Sequence, residues 1–482
     1  MSTSTDGQGK NTVRRIKCDE TRPACDRCSR TGRYCDGYQV QPATQANAPS
    51  LTLSRIAHSP ATTQEVRALQ FFVERTAVQF TTFVPDDLWS NRVLQLAHSS
   101  TCIRHALVAL SSYHERYWNG DVGGETAYGL RQYNMAINHV LEAGADQPFF
   151  LPIQLVSCTI FICIEVLRRN ISNAVHLFKY GCRMIQDASR HARKGGYLAA
   201  GLSIEPVLRL VENFFSRIST QVYLAIGGDI NHKLADIIAP MIKLRGAGTA
   251  PKRTIASIQE ARESLLKLAL QYRRNMGITQ SRALAIRFSS WAAAFDSFRK
   301  IFDQNSLTKA EKRSLALLEL HKRYMYINIA ALNQADREDP SIWDQWTQEF
   351  RDMVDFAAEA AGLDAGIDAS SQKQKPQFYM EIGIVPALFF LSAKCRDAGV
   401  RRRAIGIMQS NHIQEGIWNS EMAVKVAQKV IDFEEGNLGA KSSTEIDELA
   451  RVRQVAVDAG PEVAYMDIGY ELHGGWLGEG LG

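Results

Sequence analysis

The sequence predicts a mostly α chain in four parts. These are a small cysteine-rich module over residues 1–38, a linker over 39–63, one large all-helical domain over 64–460 and a Gly-rich tail over 461–482. Three observations predict this. Apolar residues recur with the helical period from Val66 onward and strand-like alternation is nearly absent, so amphipathic helices must bury against one another. Four of the nine cysteines fall within the first 35 residues, while Cys102, Cys158, Cys163, Cys182 and Cys395 sit inside apolar helical patterns. A hydrophobic content of 45% with 22% charged residues is that of a chain that folds, which excludes disordered and fibrous classes.

The N-terminal module is marked by charge. Between Lys10 and Cys35 eight basic residues face three acidic ones, a balance of +5 that equals the net charge of the whole chain. Such a block is the electrostatic footprint of a phosphate-binding surface, because neutralising phosphates releases condensed counterions. The odd cysteine count and the lack of a charged-then-apolar leader argue for reduced thiols, not a disulfide framework. The linker QVQPATQANAPSLTLSRIAHSPATT has Arg55 as its one charge and no sustained heptads.

Helices follow in order. Thr62 and Glu65 have capping-box spacing ahead of the stripe Val66, Leu69, Phe72, Val73 and Phe80. Further helices are expected over 91–118, 126–143, 154–168, 173–188, 205–225, 255–273, 281–302, 309–332 and 342–361, then over 377–398, 401–408, 422–433 and 445–457. Gly399 and Gly436 are placed to end helices. Pro152, Gln154, Ser157, Thr159 and Glu165 interrupt the most apolar stretch, Phe149 to Leu167, which therefore reads as a buried helix and not a membrane span. The Gly-rich tail has no helical period and is expected to pack loosely.

The chemistry is concentrated in VRRIKCDETRPACDRCSRTGRYC, where Cys18, Cys25, Cys28 and Cys35 are spaced C-x6-C-x2-C-x6-C. Thiolates this close, among Arg and Lys that favour deprotonation, suit Zn(II) in a tetrahedral sulfur site. This segment resembles the larger part of the fungal binuclear zinc cluster (Zn2Cys6), in its basic run, its Pro23 in the loop and its Cys-Asp-Arg-Cys step. The segment RALQFFVERTAVQFTTFVPDDLWSNRVLQLAHSSTCIRHALVALSSYHERY, with PALFFLSAKCRDAGVRRRAIGIM and EGIWNS, resembles the fungal-specific transcription factor domain over about residues 64 to 435.

The resemblance implies a nuclear, zinc-dependent, sequence-specific DNA-binding regulator of RNA polymerase II transcription. Its partners would be double-stranded DNA with CGG-type sites and the transcription machinery; a homodimer draws no support from the linker. The resemblance places base-reading positions on Arg14 and Arg15, whereas Lys17 and Arg22 suit phosphates. The chain departs from the pattern where the first C-x2-C should stand, since Gln8 and Asn11 occupy those positions. Two readings stay open: a module that has lost a third of its ligands, and a first exon MSTSTDGQGKNT that stands in for the missing pair, which the abrupt return of family features near Val13 favours. The alternative function is a helical regulatory or ligand-responsive scaffold that no longer binds DNA directly.

No enzyme is predicted, because neither an aspartate-rich metal motif nor an HExxH pair is present. His98, Cys102 and His105 at i, i+4, i+7 share a helical face without a carboxylate to orient them, and read as core packing. Cys158 and Cys163 read as buried thiols. Asp336, Glu338 and Asp339 beside Pro340 read as acids favouring a helix N-terminus. Gly478, Gly480 and Gly482 follow no strand and open no helix, so they are no nucleotide fingerprint.

Overall fold

A computed structural model of the chain describes residues 62–83, 85–121, 126–142, 150–193, 205–225, 254–272, 277–301, 307–334, 339–363, 375–436, 442–459, 466–472 and 475–481. The chain divides into two units, Met1–Thr52 and Leu53–Gly482, and every described residue belongs to the second. That unit is mostly α, as the sequence predicts.

The first helices are α1 (Thr63–Phe71), continued through a π turn (Phe72–Thr76) into α2 (Ala77–Phe80), then α3 (Val93–Ser99), α4 (Thr101–Trp118), α5 (Ala127–Glu142), α6 (Phe150–Leu167), α7 (Ile171–Arg193) and α8 (Glu205–Ala225). The capping box at Thr62 forms: Glu65 N donates to Thr62 Oγ1 and Thr62 N donates to Glu65 Oε2. Helix α4 is the hub, packed against α1, α3, α5 and α6, and Ile103, Ala106, Leu107, Val108, Ala109 and Leu110 are wholly buried in one core. The apolar stretch forms α6 in this core, and no helix among the described residues is long and apolar enough to cross a membrane.

A second set comprises α9 (Ile258–Ala269), α10 (Ile278–Ile301), α11 (Lys309–Leu332), a 3-10 turn (Pro340–Trp346) running into α12 (Thr347–Ala361), α13 (Val385–Lys394), α14 (Ala398–Asn411) and α15 (Ser420–Glu435). Helices α9 to α11 share one core, and α11 to α15 share another. Strands β1 (Gln377–Tyr379), β2 (Ile413–Glu415) and β3 (Trp418–Asn419) form a small sheet in which β1 runs parallel to β2 and β2 antiparallel to β3. Alternate residues of an extended segment point to opposite faces. Phe378 and Met380 accordingly enter the core of α1 to α8, while Tyr379 enters that of α11 to α15.

Five expectations need correcting. The helix expected over 91–118 is broken at Ser100, whose extended backbone lets its hydroxyl cap α4 by accepting from Ile103 N at 3.4 Å. The helix expected over 377–398 begins only at Val385, because the segment before it serves two cores on opposite sides and Pro386 suits a first helical turn. Gly399 ends nothing; it lies in the first turn of α14, and α13 stops at Cys395. Residues 445–457 hold 3-10 turns (Ser443–Glu445, Glu448–Ala450) and then a strand, not a helix. The tail is an antiparallel meander of β4 (Gln454–Ala459), β5 (Met466–Leu472) and β6 (Gly475–Leu481), anchored where buried Tyr470 packs with Val426, Val430 and Val452. Gly478 and Gly480 lie on β6 itself, with no helix after it.

Candidate functional site

The residues singled out for zinc and DNA, Cys18, Cys25, Cys28, Cys35, Arg14, Arg15, Lys17 and Arg22, lie outside the described residues, as does the boundary expected at residue 38. Asp336 and Glu338 do too, but Asp339 accepts from Ser341 N at 2.7 Å and caps the turn that leads into α12. Its hydrogen bonds to Ser341 hold the carboxyl below the usual range.

The histidine and cysteine face does not assemble. His98 is exposed on α3, across the break from Cys102 and His105 on α4. Cys102 Sγ lies 3.2 Å from Ser157 Oγ, and His105 Nδ1 lies 2.5 Å from Gln132 Oε1. Burial raises the Cys102 thiol, pushes Cys158 up to about 12 and Cys395 up to about 11, and raises Cys163 and Cys182 as well. These are inert core thiols. Among the described residues no group of three or more His, Cys, Asp or Glu is placed to hold a metal ion.

The described residues do hold two buried charge networks. The first stands at the end of β1, where α8, α9, α11 and the chain before α13 meet. Arg217 of α8 bonds Asp86, and its Nε is ion-paired with Glu381 at 2.7 Å without hydrogen-bond geometry; Arg262 of α9 donates to the other Glu381 oxygen at 3.0 Å and to Ile382 O at 3.1 Å. Beside it the Glu415 carboxylate accepts from Gly383 N, Ile384 N and Val385 N at 3.1, 2.8 and 3.1 Å, closing the first turn of α13. Two glycines permit this approach: a Cβ on Gly383 would collide with the Glu415 carboxylate, and Gly416, at φ 54°, leaves no room for a Cβ against Gln221. His321 Nε2 donates to Gly383 O at 2.8 Å.

A neutral histidine stands nearby. Phe378 N donates to Gln79 Oε1 at 2.7 Å, which fixes that atom as an acceptor, so His114 Nε2 donates to it at 3.1 Å and Nδ1 accepts from Thr76 Oγ1 at 2.8 Å. Burial pushes His114 down to about 3, in keeping with that tautomer.

The second network joins α13, α14 and α15. Glu434 is gripped by Arg396 at 2.9 Å and by Arg401, and also accepts from Val452 N at 2.9 Å. Arg396 donates further to Pro340 O and Lys394 O, and Arg401 Nε to Ser392 O. Arg401 Nη1 lies 3.6 Å from Glu435, which bonds half-exposed Arg402 at 2.6 Å. Sequence reasoning did not find either network. The signal was there in Arg262, which shares the stripe of Ala261, Leu265 and Leu268, a charge in core register.

Residues 12–45 match the Fungal Zn(2)-Cys(6) binuclear cluster domain, and the match begins directly after Asn11. The chain is 24% identical to the aspercryptin biosynthesis cluster-specific transcription regulator atnN of Emericella nidulans, over 90% of this chain and 88% of that protein. It is 29% identical to the transcription regulator lscL of Purpureocillium lilacinum over 33% of this chain and 43% of that one. To the Zn(2)-C6 fungal-type transcription factor afumD of Aspergillus fumigatus it is 28% identical over 30% of this chain and 43% of the other. No solved structure matches.

Proposed function

We propose that this chain, a zinc-dependent DNA-binding transcription regulator with a Zn(2)-Cys(6) domain over residues 12–45, acts in the nucleus on CGG-type sites to control RNA polymerase II transcription of a biosynthetic gene cluster. One observation carries the reading: C-x6-C-x2-C-x6-C thiolates set in the block that accounts for the net charge. The near full-length likeness to a cluster-specific regulator supports the choice of target class.

Cys18, Cys25, Cys28 and Cys35 would hold the metal. Two zinc ions in a shared cluster need six thiolates, and Gln8 and Asn11 supply none, so the donor set fits one tetrahedral ion. Arg14 and Arg15 would address guanine O6 and N7, and Lys17 and Arg22 the phosphates. Metal binding in so short a segment is folding energy, because the segment cannot bury a core of its own. The second reading, a helical scaffold that does not touch DNA, draws on the same missing ligand pair.

The test is zinc content and binding by the full chain. We expect no more than one zinc per molecule, and two tightly held ions would sink the single-site reading. Gln8→Cys with Asn11→Cys should raise the count to two and bring preference for CGG duplex over scrambled duplex at matched salt. Arg15→Ala in that background should lose on the order of 1–3 kcal/mol of discrimination. Two bound zinc ions without any sequence preference would favour the scaffold.

A further inference from the structure

The junction network is unbalanced in a way the second network is not. Asp86 and Glu381 are each engaged by a guanidinium, and Arg217 and Arg262 are consumed by them. Glu415 is the third carboxyl of the cluster and has no cation bonded to it; backbone N–H groups alone hold it. An ionised carboxylate there suits all three donors, but it adds a net negative charge to a buried cluster. A protonated one restores charge balance and weakens the grip on whichever donor faces its hydroxyl. The two states therefore differ in how firmly α13 begins.

The position matters mechanically. Gly416 N donates to Tyr379 O at 2.7 Å and Gln221 Nε2 to Met380 O at 2.9 Å, so the turn after Glu415 and helix α8 both bond the segment, β1 and the residue after it, that serves the two large cores. We propose that Glu415 is a proton-operated latch at this junction: ionised, it clamps the first turn of α13, and protonated, it loosens that clamp while both cores stay folded. The other groups facing it do not substitute for it. His321 is driven down to about 4 by burial and then by Arg262, so it stays neutral near neutral pH. Tyr117 and Tyr379 are raised by burial and stay protonated. Glu415 itself is pushed up to about 7 by burial, the three amides and Arg262 limiting the rise. The latch is independent of the DNA-binding reading.

Hydrogen exchange on the full chain tests it, with rates corrected for intrinsic base catalysis. Protection of the Gly383, Ile384 and Val385 amides should rise about tenfold between about pH 6 and pH 8, the value of one hydrogen bond to a charged acceptor. In Glu415→Gln the protection of these amides should be flat with pH. A flat wild type, or an equal response in the variant, overturns the proposal. Should Glu415→Gln fail to fold, the wild type alone decides: the rise must be confined to these amides, with no rise in the interior of α11, and a rise shared by both refutes the latch.

Discussion

Glu415 and Glu434 are buried to nearly the same depth, 1% and 2% exposed, yet their surroundings drive their acidities in opposite directions. Burial alone would raise both. At Glu434 the charges of Arg396 and Arg401 overcome it and hold the carboxyl below its usual value. At Glu415 three amides and the unbonded charge of Arg262 answer, and burial wins. The difference teaches that burial does not decide whether an acid is a structural fixture or a titrating group. What decides is whether a full counter-charge is bonded to it.

The largest expected effect breaks the fixed member. Arg401→Ala removes a wholly buried guanidinium, leaves Glu434 with Arg396 as its one bonded counter-charge and takes the donor from Ser392 O, so urea unfolding should show a loss of about 3–5 kcal/mol. A loss under about 1 kcal/mol would mean that the network is no more than a surface pair.

The titrating member gives the next effect. Its folded value of about 7 lies above the unfolded 4.5, so the native state binds more protons in that window. Glu415 therefore stabilises most below about pH 4.5, and that contribution is lost as pH rises through 7. The loss is on the order of 3 kcal/mol at full ionisation. His114 and His321 act in the opposite sense, since their values of about 3 and about 4 lie below 6.5, and they oppose unfolding less as pH falls through that range. Comparing Glu415→Gln with the wild type cancels the imidazoles: the variant should gain on the wild type by that amount as pH rises from about 4.5 to above 7. A difference constant with pH would refute the assignment.

The smallest effect sharpens the contrast inside the second network. Arg402 bonds Glu435 but is 53% exposed, so Arg402→Ala should cost no more than about 1 kcal/mol and less in high salt. A cost equal to that of Arg401→Ala would show that bonding, not burial, sets the price.

Much of the fold was legible in the chain. Helices Glu205–Ala225 and Lys309–Leu332 were expected at the bounds they have, and the Thr62 capping box forms, because period and cap chemistry are local properties. The errors fall where a segment answers to partners far along the chain. Residues 377–380 carry a pattern compatible with helix and become extended because two cores claim alternate side chains. The tail forms a meander because its strands pair with one another and Tyr470 finds the far side of α15, neither of which a helical period can report.

The sequence by itself determined the class of the chain, the cysteine spacing, the basic block and the missing ligand pair, since each depends only on which residues stand at which intervals. Tertiary structure alone decided the state of the buried charges. Glu415 and Glu434 are the same residue type, each followed by a glycine within two positions, and their sequence neighbours do not report the charge that each meets. What does is that the fold delivers two arginines from one helix–loop segment to Glu434, and to Glu415 only the amides of a helix end, because a pKa is set by whatever charge and solvent lie within a few ångströms in space.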